Sequence, residues 1–254
     1  MAIDNQKALR ESYKALSPYS DKQRWEFNNN LVHLDFLTKK INKGTTILDA
    51  GCGIGILALA LKILGYRNVS GVDKHLFNRD SQYYRGDAIR QLHMVWKKYG
   101  LLISEKDILN SKNSGIYDVV ISVATIEHQK SPKKFMEGLI ANLKKDGYLY
   151  IATPNLTHLL NRVRFLFNRA PLSNLQTFFE QGDTFDGHWR EYTLNELYMM
   201  CEWLHMEVVV AKNVQSMRPQ FAFVLNRDLY VNVFRFIACS YLGMGDTNII
   251  LARK

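Results

Sequence analysis

The chain has 254 residues, 47% of them hydrophobic and 22% charged, which suits a globular α/β or similar domain and excludes a low-complexity or disordered chain. Thirty-three Lys and Arg against 24 Asp and Glu leave a net charge of +9, so anionic partners are favoured: a phosphorylated substrate, a membrane surface or nucleic acid. The three cysteines, Cys52, Cys201 and Cys239, form no C-x-x-C pair, which argues against a disulfide framework or a cysteine-built zinc site and fits a reducing compartment.

Residues 1–43 read as a helical N-terminal segment with a broken apolar face at Trp25, Phe27, Leu31, Leu34 and Leu37. Its opening, MAIDNQKALRESYKAL, lacks the apolar centre of a signal peptide, and no run approaches the roughly 20 apolar residues of a membrane span. A cytoplasmic location is therefore expected. TTILDA (45–50) is a β-branched strand entering a glycine turn, followed by a helix to about Leu64 with Gly65 as its stop. NVSGVD (68–73) is a second strand, 76–99 is mostly helical, and GLLIS (100–104) is a third strand. YDVVISV (117–123) is the fourth. Ser131 and Pro132 open a helix to about Lys145, as an N-cap and first-turn proline do. GYLYIAT (147–153) is the fifth strand, ended by Pro154. Thr193 and Glu196 form a T-x-x-E capping box that starts a helix to about Leu204. MEVVVAK (206–212) and TNIILAR (247–253) are the last two strands, with Leu229–Tyr241 as the helical candidate between them.

This alternation predicts an α/β fold: a doubly wound, Rossmann-like seven-stranded sheet, mostly parallel with an antiparallel last strand, and helices on both faces. The expected organisation is the helical segment 1–43 followed by one domain, 44–254, with a helical lid-like insertion at 156–192.

Ligands of such sheets bind at the carboxyl ends of the strands. There the sequence sets Asp49 and a glycine turn after strand one, Asp73 after strand two and Asp107 after strand three. Thr125, Glu127 and His128 follow strand four, and Thr153, Pro154 and Asn155 close strand five. Gly51-Cys52-Gly53-Ile54-Gly55 is G-x-G-x-G, while Gly53-x-Gly55-x-x-Ala58 also meets the dinucleotide pattern, with Asp73 18 residues beyond Gly55. The glycines alone therefore admit NAD, which needs its pyrophosphate at the helix N-terminus. Asp49, just before the turn, would repel that group and would favour a cofactor carrying an ammonium, as S-adenosylmethionine does.

The motifs together resemble those of the class I S-adenosylmethionine-dependent methyltransferases, in the subgroup acting on small molecules, glycans and quinones. ILDAGCGIG resembles their first motif, GVDK the second, SEKDIL the third, YDVVISVATIEHQKSP the fourth and LKKDGYLYIATPN the strand-five motif, in order over about 45–155. The resemblance implies a methyl transfer from S-adenosyl-L-methionine. It sets the backbone of Gly51, Cys52, Gly53 and Gly55 against the methionine and ribose part, Asp49 near the amino end and Asp73 on the ribose hydroxyls. Asp107 falls on the adenine amino group, Ile108 on the ring and Lys74 at its flank. The 34-residue interval from Asp73 to Asp107 is longer than the family's usual one.

On the acceptor side, TIEHQKSP resembles the E-H station of small-molecule methyltransferases, and DGHWREYTLNEL a segment that follows the insertion in sugar and quinone types. His128 and His188 are thus the catalytic candidates, as bases for a hydroxyl, since imidazole titrates near neutral pH. His128 could equally brace a loop. Asn155, Arg190 and Tyr192 are the substrate-binding candidates, with Arg190 free to bind an anionic group or to pair with a nearby acid. The expected acceptor is a small molecule or glycan hydroxyl, anionic or lipid-linked. No metal site is expected. The stretches 156–174 and 226–245 interleave aromatic and aliphatic residues with arginines. They would either pack on the core with arginines in solvent or lie on a membrane surface or substrate. Nucleic acid is not the expected partner, because the strand-four station ATIEHQ lacks the Pro-Pro-aromatic sequence of amino-methylating nucleic-acid enzymes. The alternative function is a regulatory protein that binds S-adenosylmethionine on the same fold without turnover. Oligomeric state is not readable from the sequence.

Overall fold

The computed structural model describes residues 4–19, 27–74, 88–110, 115–170, 175–216 and 243–254. The helical candidate Leu229–Tyr241, nearly all of the basic stretch 226–245, and the first part of 76–99 lie outside them. The chain divides into two compact units, Met1–Ser122 with Glu137–Tyr148, and Val123–Met136 with Leu149–Lys254.

In the first unit, helix α1 (Asn5–Leu16) starts at Asp4, whose carboxylate accepts from the Lys7 N–H at 2.6 Å. Its buried stripe, Ala8, Leu9, Ser12, Tyr13 and Leu16, has the three-to-four spacing of an amphipathic helix and packs on α3 (Ile56–Ile63). Helix α2 (Phe27–Lys40) buries Asn30, His33, Leu34, Phe36 and Leu37. Helix α3 is apolar from Ile56 to Leu61, all of them buried, as an enclosed helix must be, and carries its one charge, Lys62, in the last turn. It stops at Gly65, whose φ of +94° suits a residue without Cβ. Strands β1 (Thr46–Ala50), β2 (Asn68–Asp73), β3 (Leu102–Glu105) and β4 (Tyr117–Val123) are parallel neighbours in the order β3-β2-β1-β4. Helix α4 (Ala88–Tyr99) buries Ala88, Leu92 and Trp96, one residue per turn of a single face.

Helix α5 (Pro132–Asn142) and strand β5 (Leu143–Pro154) follow. The helix ends three residues before the predicted Lys145, because the Asn142 side chain donates to the Gly138 carbonyl at 2.8 Å and the chain is already extended from Leu143. The third strand likewise starts later than predicted, since Gly100 takes φ +63° at the end of α4.

The second unit contains α6 (Leu159–Leu166), α7 (Leu175–Gln181), α8 (Leu194–Trp203), β6 (Glu207–Val214) and β7 (Thr247–Arg253). The capping box opening α8 is formed on both sides: Thr193 Oγ1 accepts from Glu196 N, and Glu196 Oε2 accepts from Thr193 N. Strands β6 and β7 pair antiparallel, as expected of the last strand, with a bulge between Val208 and Val210. The sheet has seven strands in the order β3-β2-β1-β4-β5-β7-β6, the predicted mostly parallel, Rossmann-like arrangement. In the insertion, Phe165, Leu166 and Phe167 are 55%, 84% and 73% exposed, and Leu175 and Phe179 are more than three-quarters exposed. The core-packed reading of 156–174 therefore fails for its described aromatic part. Among the described residues no helix is long and apolar enough to cross a membrane.

Candidate functional site

The glycine turn of the first unit is built by a tight reversal after β1. Gly51 and Cys52 both donate to the Val72 carbonyl, at 2.8 and 3.2 Å, and Gly55 donates to Cys52 O at 2.9 Å. The turn needs positive φ at Gly51 (+78°), Gly53 (+53°) and Gly55 (+84°). At Gly55 a Cβ would also stand 2.3 Å from Ile103 Cδ1. The start of α3 is pinned from behind. Ser12 Oγ donates to Ile56 O at 2.7 Å, and Trp96 Nε1 donates to Ile54 O at 3.1 Å. The N-terminal helix thus supports the turn directly.

Parallel pairing brings the predicted acids to one strand edge. Asp49 faces Gly71 in register, and Asp73 faces Glu105. Asp49 is 3% exposed, and burial, then repulsion from Asp73, push its carboxyl up to about 7. Asp73 Oδ2 accepts from Gly53 N at 2.9 Å, which locks that carboxylate onto the glycine turn. Beside them the Cys52 thiol is raised well above its usual range, first by burial and then by Asp49 and Asp73, which favours the neutral thiol. Asp107 Oδ1 accepts from Leu109 N at 3.0 Å, and its Oδ2 lies 3.5 Å from Lys74 Nζ. Ile108 is buried beside it. A buried carboxylate beside a second acid is a poor seat for pyrophosphate and a good one for an ammonium group, so these residues fit S-adenosylmethionine.

The second unit gathers a different cluster. After β4, Ala124 takes φ +50° and the chain makes a short turn, Ile126–His128. Glu127 is fully buried; its Oε2 accepts from Thr153 Oγ1 at 2.8 Å, and its Oε1 has no hydrogen-bond partner among the described residues. Burial, the largest influence, raises its carboxyl to about 7. The Glu127 carbonyl accepts from Trp189 N at 2.8 Å and Arg190 N at 3.3 Å, which ties the DGHWREYT loop to the turn. Trp189 packs edge-on with Phe178 and Phe185, and Lys130 Nζ sits 4.5 Å from its ring centre. The two predicted histidines, 60 residues apart in sequence, meet with ring centres 4.8 Å apart. His128 Nδ1 donates to the carbonyls of Asp186 (3.0 Å) and Gly187 (3.1 Å), and His188 Nδ1 to Glu191 Oε1 (2.9 Å). The bond to Glu191 raises the His188 imidazole above its ordinary value, against the effect of partial burial.

The three substrate candidates fare differently. Asn155 is a correction: it is fully buried, both amide N–H groups go to the Gly243 and Gly245 carbonyls, and its Oδ1 accepts from Thr157 N and Oγ1. Its side chain braces two loops and has no donor left for a substrate. Arg190 pairs with Glu196 at 2.6 Å and stands over the Tyr192 ring. Tyr192 is buried with its hydroxyl unpartnered among the described residues. Arg190 and Tyr192 line one cavity of about 700 Å³ in this unit, whose other walls include Met136, Met199, Met200 and Trp203. Sequence reasoning placed Glu127 at the strand-four station and Glu191 beside Arg190 without making either a site residue. The available signal was the acid adjoining each histidine, at E-H and at H-x-x-E, with Thr153 closing strand five.

Comparison with known proteins agrees with the fold and with the family resemblance. The family described as a methyltransferase domain matches residues 21–202. The chain is similar to a mitochondrial ubiquinone biosynthesis O-methyltransferase of Dictyostelium discoideum, 25% identical over 195 residues. That match covers 69% of this chain and 58% of the relative, so the chain spans well under two thirds of that protein's length. A ubiquinone biosynthesis O-methyltransferase of Rickettsia bellii is 26% identical over 224 residues, 85% of this chain and 86% of the relative. Among solved structures, the fold matches a 1,6-didemethyltoxoflavin-N1-methyltransferase of Burkholderia thailandensis that holds its substrate and S-adenosylhomocysteine. Its TM-score is 0.59 at 15% identity, covering all of this chain and 91% of that one.

Proposed function

The chain belongs to the methyltransferase-domain family, and we propose that it methylates a hydroxyl of a small, largely apolar acceptor with S-adenosylmethionine as donor. The observation that carries the reading is Asp49, a buried carboxylate beside Asp73 at a glycine turn, which calls for a positive group. Bound there, S-adenosylmethionine supplies an electrophilic methyl on a sulfonium that is already a good leaving group. Asp49 would hold its ammonium and Asp73 its ribose hydroxyls. Asp107 and Ile108 would hold the adenine, with Lys74 steadying Asp107. The remaining work is alignment and removal of the acceptor's proton. His128 and His188 each commit Nδ1–H to an oxygen, which leaves the lone pair of the neutral ring on Nε2, the atom that can take a hydroxyl proton. The methionine-rich cavity supports an apolar acceptor body, and Arg190 with the Tyr192 hydroxyl supports a polar group on it. The O-methylation named for the two relatives supports oxygen as the acceptor atom.

Calorimetry with S-adenosylmethionine and S-adenosylhomocysteine, followed by turnover assays on hydroxylated quinones, catechols and glycans, tests this reading. One molar equivalent of either ligand should bind, with methyl transfer to at least one hydroxyl class. Absence of both ligands from the titration would sink it. Binding without turnover on any acceptor would support the regulatory alternative.

The exposed Phe165, Leu166, Phe167, Leu175 and Phe179, beside the exposed Arg162, Arg164 and Arg169, support peripheral contact with an anionic membrane. Vesicles containing anionic lipid should then retain the chain in flotation. Leu166→Asp with Phe167→Asp should weaken retention at least tenfold, from the apolar area lost plus the charge added, by an estimate of about 2 kcal/mol. S-adenosylmethionine affinity should not change. Equal flotation of the double variant would remove the membrane reading.

A further inference from the structure

The geometry points to a divalent metal site formed by Glu127, His128 and His188, and this inference rests on the reading that this cluster prepares the acceptor oxygen. One ligand atom from each of the three lies within 4.8 Å of the others. Two imidazoles and a carboxylate are the donor set of many catalytic zinc and non-haem iron sites, which keep further positions open for water or substrate. Two features beyond proximity support a cation here. The first is Glu127 Oε1, buried and unpartnered, while Oε2 is held by Thr153. A buried carboxylate oxygen without a donor is costly, and a cation satisfies it. The second is the outer hydrogen bonding. Each Nδ1 donates to an oxygen, the His128 ring to two loop carbonyls and the His188 ring to the Glu191 carboxylate. That pattern fixes the tautomer with the lone pair on Nε2 and orients metal-bound histidines in general.

Donor atoms sharing a tetrahedral ion at about 2.1 Å stand roughly 3.4 Å apart, so ring rotation of about an ångström closes the set. Glu127 is enclosed while both histidines remain partly accessible, which leaves an entry side and an open coordination position. The chemistry suits the proposed acceptor. A hydroxyl on such a cation ionises nearer neutral pH, its proton passing to water, so no ring nitrogen need take it. On this proposal both Nε2 atoms would bind the cation, which would take over the proton-removing role given to them above, whereas the sequence-based expectation was a metal-free site with two histidine bases.

The chain stripped with chelator and titrated with cobalt(II) tests the site. One equivalent should bind with the visible absorption of nitrogen–oxygen-coordinated cobalt, and one equivalent of zinc(II) should displace it. Glu127→Gln, which keeps the Thr153 contact, and His188→Asn should each lower cobalt affinity at least a hundredfold. Glu191→Gln, which keeps an oxygen for the His188 ring but removes the charge, should lower it roughly ten- to a hundredfold. Circular dichroism and S-adenosylhomocysteine calorimetry on the same samples report folding and the donor seat separately. Only an aqua-like cobalt spectrum in the parent chain, or affinity unchanged in Glu127→Gln, would overturn the metal site. If S-adenosylhomocysteine still binds in that case, the methyltransferase reading stands without the metal.

Discussion

Asp49→Asn should weaken S-adenosylmethionine binding at pH 7.5 by roughly a hundredfold while leaving the ligand-free chain equally or more stable. The two halves of that expectation come from one carboxylate. Without a ligand, Asp49 is buried, repelled by Asp73, and raised to about 7. An acid raised in the folded state favours folding most at low pH, and that contribution is lost as pH rises from about 4 to about 7. Above pH 7 the ionised group costs the fold on the order of 4 kcal/mol relative to an unshifted acid, and the neutral Asn amide escapes that cost. Much of that cost is recovered when an ammonium arrives, because a charge-assisted bond in a buried site contributes about 2 to 3 kcal/mol. The parent chain should therefore bind S-adenosylmethionine more tightly as Asp49 ionises. With a midpoint near 7, affinity should fall roughly twentyfold from pH 7.5 to pH 5.5, and the Asn variant should show little of that slope. Calorimetry at four pH values, paired with thermal unfolding, reads both. A variant that binds within threefold of the parent, or one that loses its slope only by unfolding, would remove the ammonium from Asp49.

The legible part of this chain is the part whose chemistry is local. The strand–turn–helix from Thr46 to Ile63 announces itself, because the turn needs glycine at Gly51, Gly53 and Gly55 and the helix behind it is apolar from Ile56 to Leu61. The capping box at Thr193 and Glu196 is equally local. What stayed hidden depends on long-range contact. His128 and His188 were separate candidates until the loop hung from the Glu127 carbonyl brought their rings together. Glu127 read as part of a motif, yet its burial and its unpartnered oxygen are set by packing that no spacing rule reports. Asn155 misled in the opposite direction. A polar residue at the end of β5 sits where substrates are met, but the returning chain at 243–245 consumes its amide. The exposed Phe165 and Leu166 of α6, with Phe167 after it, have the composition of a core stripe, and only their surroundings distinguish the two cases.

Gly138→Ala tests the donor seat from a position that carries no functional group. Gly138 lies in α5, where Ala is intrinsically the better helix former by about 1 kcal/mol, so local propensity predicts stabilisation. The surroundings predict the reverse. A Cβ at Gly138 would stand 2.2 Å from the Ile108 carbonyl oxygen and 3.0 Å from its carbon, so backbone must move by about an ångström. That backbone is the short turn Ile108–Asn110, tied to Asp107 through the Leu109 N–H. Overpacking of this kind costs about 1 to 3 kcal/mol and offsets or outweighs the propensity gain of about 1 kcal/mol, for a net loss of up to about 2 kcal/mol. Displacing Ile108 and Asp107 should also lower S-adenosylmethionine affinity about tenfold, through the adenine end alone. Binding of a ligand truncated to the methionine part should hold. Gly44, where a Cβ would meet nothing within 4 Å, is the control, and Gly44→Ala should leave both stability and affinity near the parent values. Urea unfolding and calorimetry separate the two effects. If Gly138→Ala raises stability as propensity alone predicts, α5 does not press on Ile108. If it destabilises without touching affinity, Asp107 and Ile108 do not hold the adenine.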